Sequence, residues 1–341
     1  KKKKKNNFKK IKIRNIDIIM FIMFLLYFFK CLYTEIFNEI LNLGNPWFYY
    51  ILYYILFNYT YFLFFRNLDI KNAINRVIKT IIFSGFIFGI IILVFYNSIL
   101  FESEIGRFGA NIEDNDESIL SPLSVAYSGA LNTSLLIPYI SSNFKNSSII
   151  KKIYLLINLI ISILLFVLGS TRGALVVVFL SLLFFVFTKK GYKKILYIMY
   201  SIPLVLLFLF MVNSTGSSLL DRVNSTIETN DTSGRDYLWK EAMAEFYKYP
   251  LIGGRIEVSG IYPHNLFIEI LMSTGVIGII LFILLFFNSI KNVKINNDTI
   301  YIYIILINGL FFNMFSGSFY TAILLFTGLG MLNGYKYSKK I

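Results

Sequence analysis

Long apolar segments recur along the whole chain, and no other feature restricts its fold as strongly. Most of them contain close to the ~20 residues that a helix needs to cross ~30 Å of hydrocarbon. Ten such segments are present, at about 16–34, 46–65, 78–98, 119–140, 153–170, 174–188, 195–212, 264–287, 299–314 and 319–335. The pattern predicts an all-α polytopic membrane protein with about ten transmembrane helices.

The composition excludes a water-soluble globule. Charged residues make up 15% of the chain, hydrophobic residues 56%, and the mean hydropathy is +0.65. Soluble domains carry about a quarter charged residues, so this chain lacks the polar surface that a soluble domain of its size needs. The single cysteine, Cys31, also excludes a disulfide-stabilised secreted scaffold.

The positive charges indicate an orientation. If both termini lie in the cytoplasm, the segments predicted to be inside contain most of the 33 Lys and Arg residues. The net charge of +14 then follows from topology, and no nucleic-acid partner is expected. The basic start, Lys1–Lys5 with Lys9 and Lys10, is most simply an orientation signal, and contact with anionic membrane lipids is the alternative.

Arginine is distributed differently from lysine. The inside segments contain three arginines, whereas the outside segments contain Arg107, Arg172, Arg222, Arg235 and Arg255. Arginine presents a planar fork that binds phosphate or carboxylate through two hydrogen bonds, which lysine does not. The outer face is therefore predicted to bind an anion.

Two outside loops are longer than a hairpin requires. The loop at about 101–118 contains Arg107 and an acidic run, and the much larger loop at 213–263 is expected to fold as a partly helical extracytoplasmic domain. This large loop divides the chain into a part with seven helices (1–212), the loop itself and a part with three helices (264–341).

The large loop is predicted to contain helices at 219–228 and 235–248. In the second, apolar side chains recur at helical spacing, with Lys240, Glu241 and Glu245 on the other face. Ser233 is its predicted N-cap, and the sequence from Pro250 to Gly254 is predicted to end it. Its apolar face is expected to lie in the membrane interface.

Arg172 is the first candidate site residue. It lies in Ser170-Thr171-Arg172-Gly173-Ala174, between two short apolar segments, so the turn is expected to lie below the outer surface. The alternative is that Arg172 reaches a lipid phosphate. Arg222, Arg235 and Arg255 in the large loop are candidates for the same anion, and pairing with nearby carboxylates is their alternative role.

His264 is the only histidine and lies where the large loop enters the eighth apolar segment. An imidazole can accept a proton from a hydroxyl without a metal ion, so His264 is a candidate general base. A structural role at the start of the helix is the alternative. Glu269, one turn further on, is a weaker candidate, either to orient His264 or to pair with an arginine.

Asp114 and Asp116 resemble the metal-binding pair of many sugar transferases. A solvated acidic loop is the simpler interpretation, and no metal or other cofactor is expected. Phosphate-binding glycine loops of the nucleotide-binding type are absent from the sequence, which argues against an ATP-driven pump.

Five short segments follow one another between about 165 and 285. They are Ser170-Thr171-Arg172-Gly173-Ala174, Gly234-Arg235-Asp236-Tyr237-Leu238-Trp239, Pro250-Leu251-Ile252-Gly253-Gly254, His264-Asn265-Leu266-Phe267-Ile268-Glu269 and Gly275-Val276-Ile277-Gly278. In order and spacing they resemble the O-antigen ligase and polysaccharide polymerase family of bacterial membrane glycosyltransferases. Arg107, with Gly109 and Asn111, is similar to an earlier Arg-containing loop of that family.

The resemblance implies an inverting glycosyltransferase of the bacterial inner membrane that needs neither metal nor nucleotide. Its donor would be an undecaprenyl-diphosphate-linked oligosaccharide, and its acceptor a hydroxyl of a glycan or of the lipid A core. By position, Arg172 and Arg235 would hold the diphosphate, and His264 would act on the acceptor hydroxyl. Arg107, Arg222, Arg255 and Glu269 are then expected to bind diphosphate or glycan.

Two other functions remain open. One is a metal-dependent transferase that uses a polyprenyl-monophosphate sugar, with Asp114 and Asp116 as ligands. The other is a flippase for lipid-linked glycans, which predicts internal repeats and helices interrupted inside the membrane. Neither feature is evident in the sequence.

Overall fold

The computed structural model describes residues 13–36, 43–95, 121–229 and 234–338, and this part of the chain is all-helical. The predicted all-α class is therefore confirmed, and the extracytoplasmic position of the large loop remains a prediction. Among the described residues, six helices are long and apolar enough to cross a membrane: Asn15–Ile36, Trp47–Asn67, Ile70–Phe95, Ile149–Leu168, Tyr192–Thr215 and Leu266–Ile290. These helices indicate a multi-pass membrane protein, whereas the count of ten spans remains a prediction.

Every predicted apolar segment nevertheless contains a helix. In chain order the helices are α1 Asn15–Ile36, α2 Trp47–Asn67, α3 Ile70–Phe95, α4 Pro122–Asn143, α5 Ile149–Leu168, α6 Arg172–Phe187, α7 Tyr192–Thr215, α8 Leu219–Thr229, α9 Arg235–Lys248, α10 Leu266–Ile290, α11 Thr299–Phe315 and α12 Ile323–Tyr337. A short 3-10 helix, Phe319–Thr321, joins the last two. Helices α6, α11 and α12 are shorter than ~20 residues.

Helices α11 and α12 form the centre of the bundle. Most residues of both are buried, and they pack on each other, on α2 and on α6. Glycines allow the backbones to approach closely: a Cβ at Gly328 would lie 3.0 Å from the Cα of Leu306, and one at Gly330 would lie 2.6 Å from the carbonyl oxygen of Phe62.

The helices predicted at 219–228 and 235–248 are confirmed as α8 and α9, and the position of α9 in the membrane interface remains a prediction. Its buried face packs against α10, where Ala242 and Met272 form a small apolar cluster with Val258. Glu245, predicted to be on the exposed face, is buried. The N-cap is Gly234 in a left-handed conformation, and it makes no side-chain cap.

Helix α10 is interrupted at Gly275, although the sequence suggested no interrupted helix. Gly275 has φ 64° and ψ −160°, which glycine adopts readily. The loop after α9 completes the break, because the amides of Val276 and Ile277 donate to the carbonyl oxygens of Pro250 (2.8 Å) and Leu251 (3.2 Å). An apolar helix thus keeps its freed backbone groups satisfied by protein.

Gly275→Ala tests this contact. A Cβ at Gly275 would lie 2.5 Å from the carbonyl of Leu251, so we expect overpacking in addition to backbone strain. The matched control is Gly191→Ala, because Gly191 also has positive φ (57°) but no neighbouring atom within 4 Å of the new Cβ. We expect the midpoint of thermal unfolding to fall clearly further for Gly275→Ala, by the equivalent of about 1–3 kcal/mol. If the two variants lower the midpoint of thermal unfolding equally, the loop at Leu251 does not pack tightly against Gly275.

Candidate active site

The turn between α5 and α6 places Arg172 at the first position of a helix. Ser170 adopts a positive φ of 43°, is buried, and shares a hydrogen bond of 2.7 Å with the hydroxyl of Ser217. Thr171 uses its hydroxyl on the carbonyl oxygen of Gly169 (2.9 Å), so its side chain does not cap α6. The amide groups at the start of α6 therefore have no side-chain acceptor from the residue that precedes the helix.

Two arginines join this turn to α8. The guanidinium of Arg172 donates to the carbonyl oxygen of Arg222 (3.2 Å) and to the hydroxyl of Thr226. Arg222 returns a hydrogen bond of 2.7 Å to the carbonyl oxygen of Ser170. This contact fixes the turn that presents Arg172, so it favours a positioning role for Arg222 over the predicted direct contact with diphosphate.

The start of α6 also lies against α4 and the end of α11. Gly173 has no side chain, and a Cβ there would collide with the hydroxyl of Tyr127 and lie 2.7 Å from the Cβ of Phe315. The Tyr127 hydroxyl in turn lies 3.2 Å from the hydroxyl of Ser316. Glycine beside Arg172 thus allows three helices to meet at one point.

His264 contacts the residue that follows α11, Ser316, through the backbone carbonyl of that residue. Its Nδ1 lies 3.1 Å from the carbonyl oxygen of Ser316, which also accepts a hydrogen bond of 3.2 Å from the hydroxyl of Tyr262. A carbonyl oxygen only accepts, so Nδ1 carries the proton in this hydrogen bond. The neutral ring then has its lone pair on Nε2, the nitrogen that a general base uses.

Electrostatics keep His264 in this neutral form. Burial lowers the pKa of His264 from its usual 6.5, and the positive charge of Arg235 lowers it further, while the carbonyl of Ser316 opposes the shift. Burial raises the pKa of the neighbouring Tyr262 to about 12, so that hydroxyl stays protonated. At neutral pH the imidazole is ready to accept a proton.

Arg235 opens α9 and lies close enough to act electrostatically on Tyr127, Tyr262 and His264. One turn further along α9, the indole of Trp239 donates to the carbonyl oxygen of Pro263 (2.9 Å), which ties the helix to the His264 segment. Arg235 and His264 therefore lie close to Tyr127 and Ser316. Arg172 belongs to the turn whose next residue, Gly173, contacts Tyr127, and its guanidinium lies on α8.

Glu269 holds the backbone of the segment that follows Ser316. It is fully buried, and its Oε2 accepts a hydrogen bond of 2.8 Å from the backbone amide of Phe319. Phe319 begins the 3-10 helix that follows Ser316, so Glu269 fixes the segment whose carbonyl orients His264. Its described bonds place it on this backbone and not on an arginine.

Arg255 is held elsewhere. Its guanidinium lies 3.6 Å from the carboxylate of Glu241 and 3.8 Å from that of Glu245, both on α9. These ion pairs correspond to the alternative role given to the loop arginines, with different carboxylates from those beside them in the sequence. Arg107, Asp114 and Asp116 lie outside the described residues, as does the predicted cap Ser233.

Sequence reasoning assigned no individual role in the site to Tyr127, Tyr262, Trp239 or Ser316. Ser316 had a local signal, because Ser316-Gly317-Ser318 separates two apolar segments and is predicted to break a helix. Tyr127 had none, since it lies 189 residues from its partner. Within the described residues no group of three or more His, Cys, Asp or Glu side chains is placed to hold a metal ion.

Comparison with known families gives one match. Residues 157–283 match the family described as O-antigen ligase. The matched segment runs from α5 to α10 and contains Arg172, Arg235 and His264. The chain matches no curated protein and no solved structure.

Proposed function

We propose that this chain is a membrane glycosyltransferase of polysaccharide synthesis, because residues 157–283 match the O-antigen ligase family and its described helices include six that can cross a membrane. It transfers a glycan from undecaprenyl diphosphate to a sugar hydroxyl at the outer face of the bacterial inner membrane. We propose that it polymerises repeat units, with ligation of a finished chain to a lipid core as the alternative. The distribution of Lys and Arg along the chain supports a cytoplasmic position for both termini.

The observation that carries this proposal is the junction at Ser316. Its carbonyl oxygen orients the imidazole of His264, and its hydroxyl contacts Tyr127, which lies against the start of α6 beside Arg172. The proposed proton acceptor and the residue that carries the proposed anion-binding guanidinium thus flank one junction, although they lie 92 positions apart in the chain. A displacement that expels an anion requires these two groups on opposite sides of the reacting carbon.

The leaving group is the first requirement. When the bond between the anomeric carbon and the phosphate oxygen breaks, its electron pair passes to the diphosphate and the negative charge grows. Arg172 and Arg235 stand at the first positions of α6 and α9, and neither helix has a side-chain cap. The positive ends of two helix dipoles therefore add to two guanidinium forks.

The acceptor is the second requirement. Nε2 of His264 takes the proton of the acceptor hydroxyl while that oxygen bonds to the anomeric carbon from the face opposite to the diphosphate. The displacement inverts the configuration and consumes no metal, nucleotide or oxidant. The imidazolium then releases its proton to water, which its lowered pKa favours.

An apolar groove suits the lipid part of the donor. A groove of about 150 Å³ lies among α4, α5, α6 and α7, with Leu175, Val178, Phe179 and Leu182 of α6 along one side. Leu175 is one turn beyond Arg172, so the groove leads from the proposed diphosphate site along the helix. A polyprenyl chain in this groove would place its diphosphate beside Arg172.

The alternative functions have weaker support. The break in α10 has its backbone groups bonded to the loop at Pro250 and Leu251, so these groups are not offered to a transported solute. The metal-dependent alternative depends on Asp114 and Asp116, which lie outside the described residues. Insensitivity of the purified enzyme to EDTA is the expected result, and loss of activity that Mg²⁺ or Mn²⁺ restores would favour that alternative.

Deletion of the gene tests the proposed role. We expect lipid-linked single repeat units to accumulate, because polymerisation stops while their synthesis and export continue. Accumulation of long chains that remain unattached to a lipid core would favour the ligase instead. Accumulation of repeat units on the cytoplasmic face alone would contradict both roles and favour a flippase.

A further inference from the structure

A second cavity lies at the end of the bundle opposite to His264. It has a volume of about 520 Å³ and is formed by the start of α1 and the last turns of α10 and α12. Helix α10 starts beside His264, and its 25 residues cover about 37 Å before reaching this end. The cavity is therefore separate from the candidate active site.

Positive charge is in excess around this cavity. Arg14 and Lys336 line it, and the buried Arg66 lies close behind. Asp17 is the carboxylate that the described contacts place among these three cations, and its Oδ2 is already occupied, whereas its Oδ1 has no hydrogen-bond partner among the described residues. The Oδ2 atom accepts a hydrogen bond of 2.6 Å from the amide of Arg14 and forms an ion pair with Arg66.

Arg14 is the residue that most clearly requires a ligand. Its guanidinium lies 3.9 Å from the centre of the Tyr337 ring, and its Nη1 is buried with no hydrogen-bond partner among the described residues. Burial and the nearby charge of Arg66 lower the pKa of Arg14. A bound anion would supply the missing acceptor and offset the repulsion between the two guanidinium groups.

We infer that this cavity binds the phosphate group of an anionic ligand, with Arg14 and Lys336 as its direct contacts. Lys336 makes one described hydrogen bond, a long one of 3.5 Å to the carbonyl oxygen of Asn288, so its ammonium can turn towards a ligand. Ile13 and Ile16 add apolar lining, and Ile13 is exposed. Phosphate beside apolar surface fits the headgroup of a membrane phospholipid, and a soluble phosphate would use the same two cations.

The test uses the purified full-length chain in a neutral detergent. Its midpoint of thermal unfolding is measured with increasing short-chain phosphatidylglycerol, short-chain phosphatidylcholine or inorganic phosphate. We expect phosphatidylglycerol to raise the midpoint and phosphatidylcholine to have little effect. In Arg14→Gln/Lys336→Gln the apparent affinity for phosphatidylglycerol should fall about tenfold or more, as expected for two lost charge-assisted contacts.

The matched control is Lys190→Gln, which removes one positive charge from an exposed position after α6, at the same end of the bundle. It should bind phosphatidylglycerol as the wild type does. If inorganic phosphate alone stabilises the wild type and this effect is lost in the double variant, the site is assigned to a soluble phosphate. Equal affinities in the double variant and in Lys190→Gln would overturn the inference.

Arg14→Gln also removes the contact with Tyr337, so the double variant risks poor folding. The single variant Lys336→Gln is then the decisive test, because this side chain loses only one long hydrogen bond and a cation–π contact of 5.5 Å with the Tyr337 ring. We expect it to bind phosphatidylglycerol several-fold more weakly than the wild type and than Lys190→Gln. Unchanged binding in this variant would equally reject the site.

Discussion

His264→Ala is expected to reduce glycan transfer by about 10²–10⁴-fold, the usual contribution of a general base. The neutral imidazole has its Nδ1 proton committed to the carbonyl oxygen of Ser316, so Nε2 is the atom that accepts the proton of the acceptor hydroxyl. The rate is measured with the purified enzyme and a lipid-diphosphate-linked glycan. Transfer at the wild-type rate would remove His264 from the mechanism.

A second substitution separates catalysis from folding. His264 has φ 55°, which alanine adopts at a cost but asparagine tolerates well. His264→Asn also keeps an amide that can donate to Ser316 while lacking a base, so it should fold and remain as inactive as His264→Ala. Activity that returns in His264→Asn would mean that the position is structural.

The pH dependence of the wild type gives an independent check. Because burial and Arg235 lower the pKa of His264 from its usual 6.5, the imidazole is mostly neutral at neutral pH and is protonated progressively on acidification. Activity should therefore fall on acidification, with the midpoint in kcat/KM below 6.5. The residual activity of His264→Asn should lack this acidic limb. An acidic limb of the same midpoint in that variant would assign the titration to another group.

Arg172→Lys and Arg235→Lys are each expected to reduce transfer by about 10²-fold or more. Lysine keeps the charge but offers no planar fork to the departing diphosphate, and loss of one aimed donor costs about 10²–10³-fold in comparable sites. The polymer that forms in cells and the transfer rate of the purified variants are the two measurements. Wild-type polymer length and amount in both variants would contradict the diphosphate-binding role.

The matched control is Arg255→Lys. Arg255 lies in the same loop, but its described partners are Glu241 and Glu245, with which lysine can also pair. This variant should keep most of the activity. A loss as large as that of Arg172→Lys would restore the predicted direct role of Arg255 in binding diphosphate or glycan.

Much of the helical architecture could be predicted because it depends on local periodicity. The helices at 219–228 and 235–248 follow from apolar spacing, and the start of α10 follows from Asn265, whose side chain accepts from the amides of Phe267 and Ile268 (3.1 and 3.3 Å). The break in α10 at Gly275 could not be predicted in this way. An isolated glycine in an apolar segment also fits a continuous membrane helix, and only the loop that donates its carbonyl groups explains the break.

The candidate site could be predicted only in part. Arg172 and His264 stand out because they lie at the ends of apolar segments, and Arg235 because it opens a predicted helix. Of these three, Arg235 and His264 lie close enough to interact electrostatically. The residues that join them could not be found, because Tyr127 and Ser316 meet through helix packing across most of the chain. Glu245 was predicted to be exposed since α9 was expected to face the membrane interface, whereas it packs on α10.

The most direct measurement is the position of the diphosphate in an experimental structure of the enzyme with an undecaprenyl-diphosphate-linked oligosaccharide. The proposed mechanism predicts a diphosphate between the guanidinium groups of Arg172 and Arg235, with the lipid along α6 and Nε2 of His264 facing the anomeric carbon from the opposite side. A diphosphate bound away from both arginines, or a His264 ring turned away from the sugar, would contradict the mechanism.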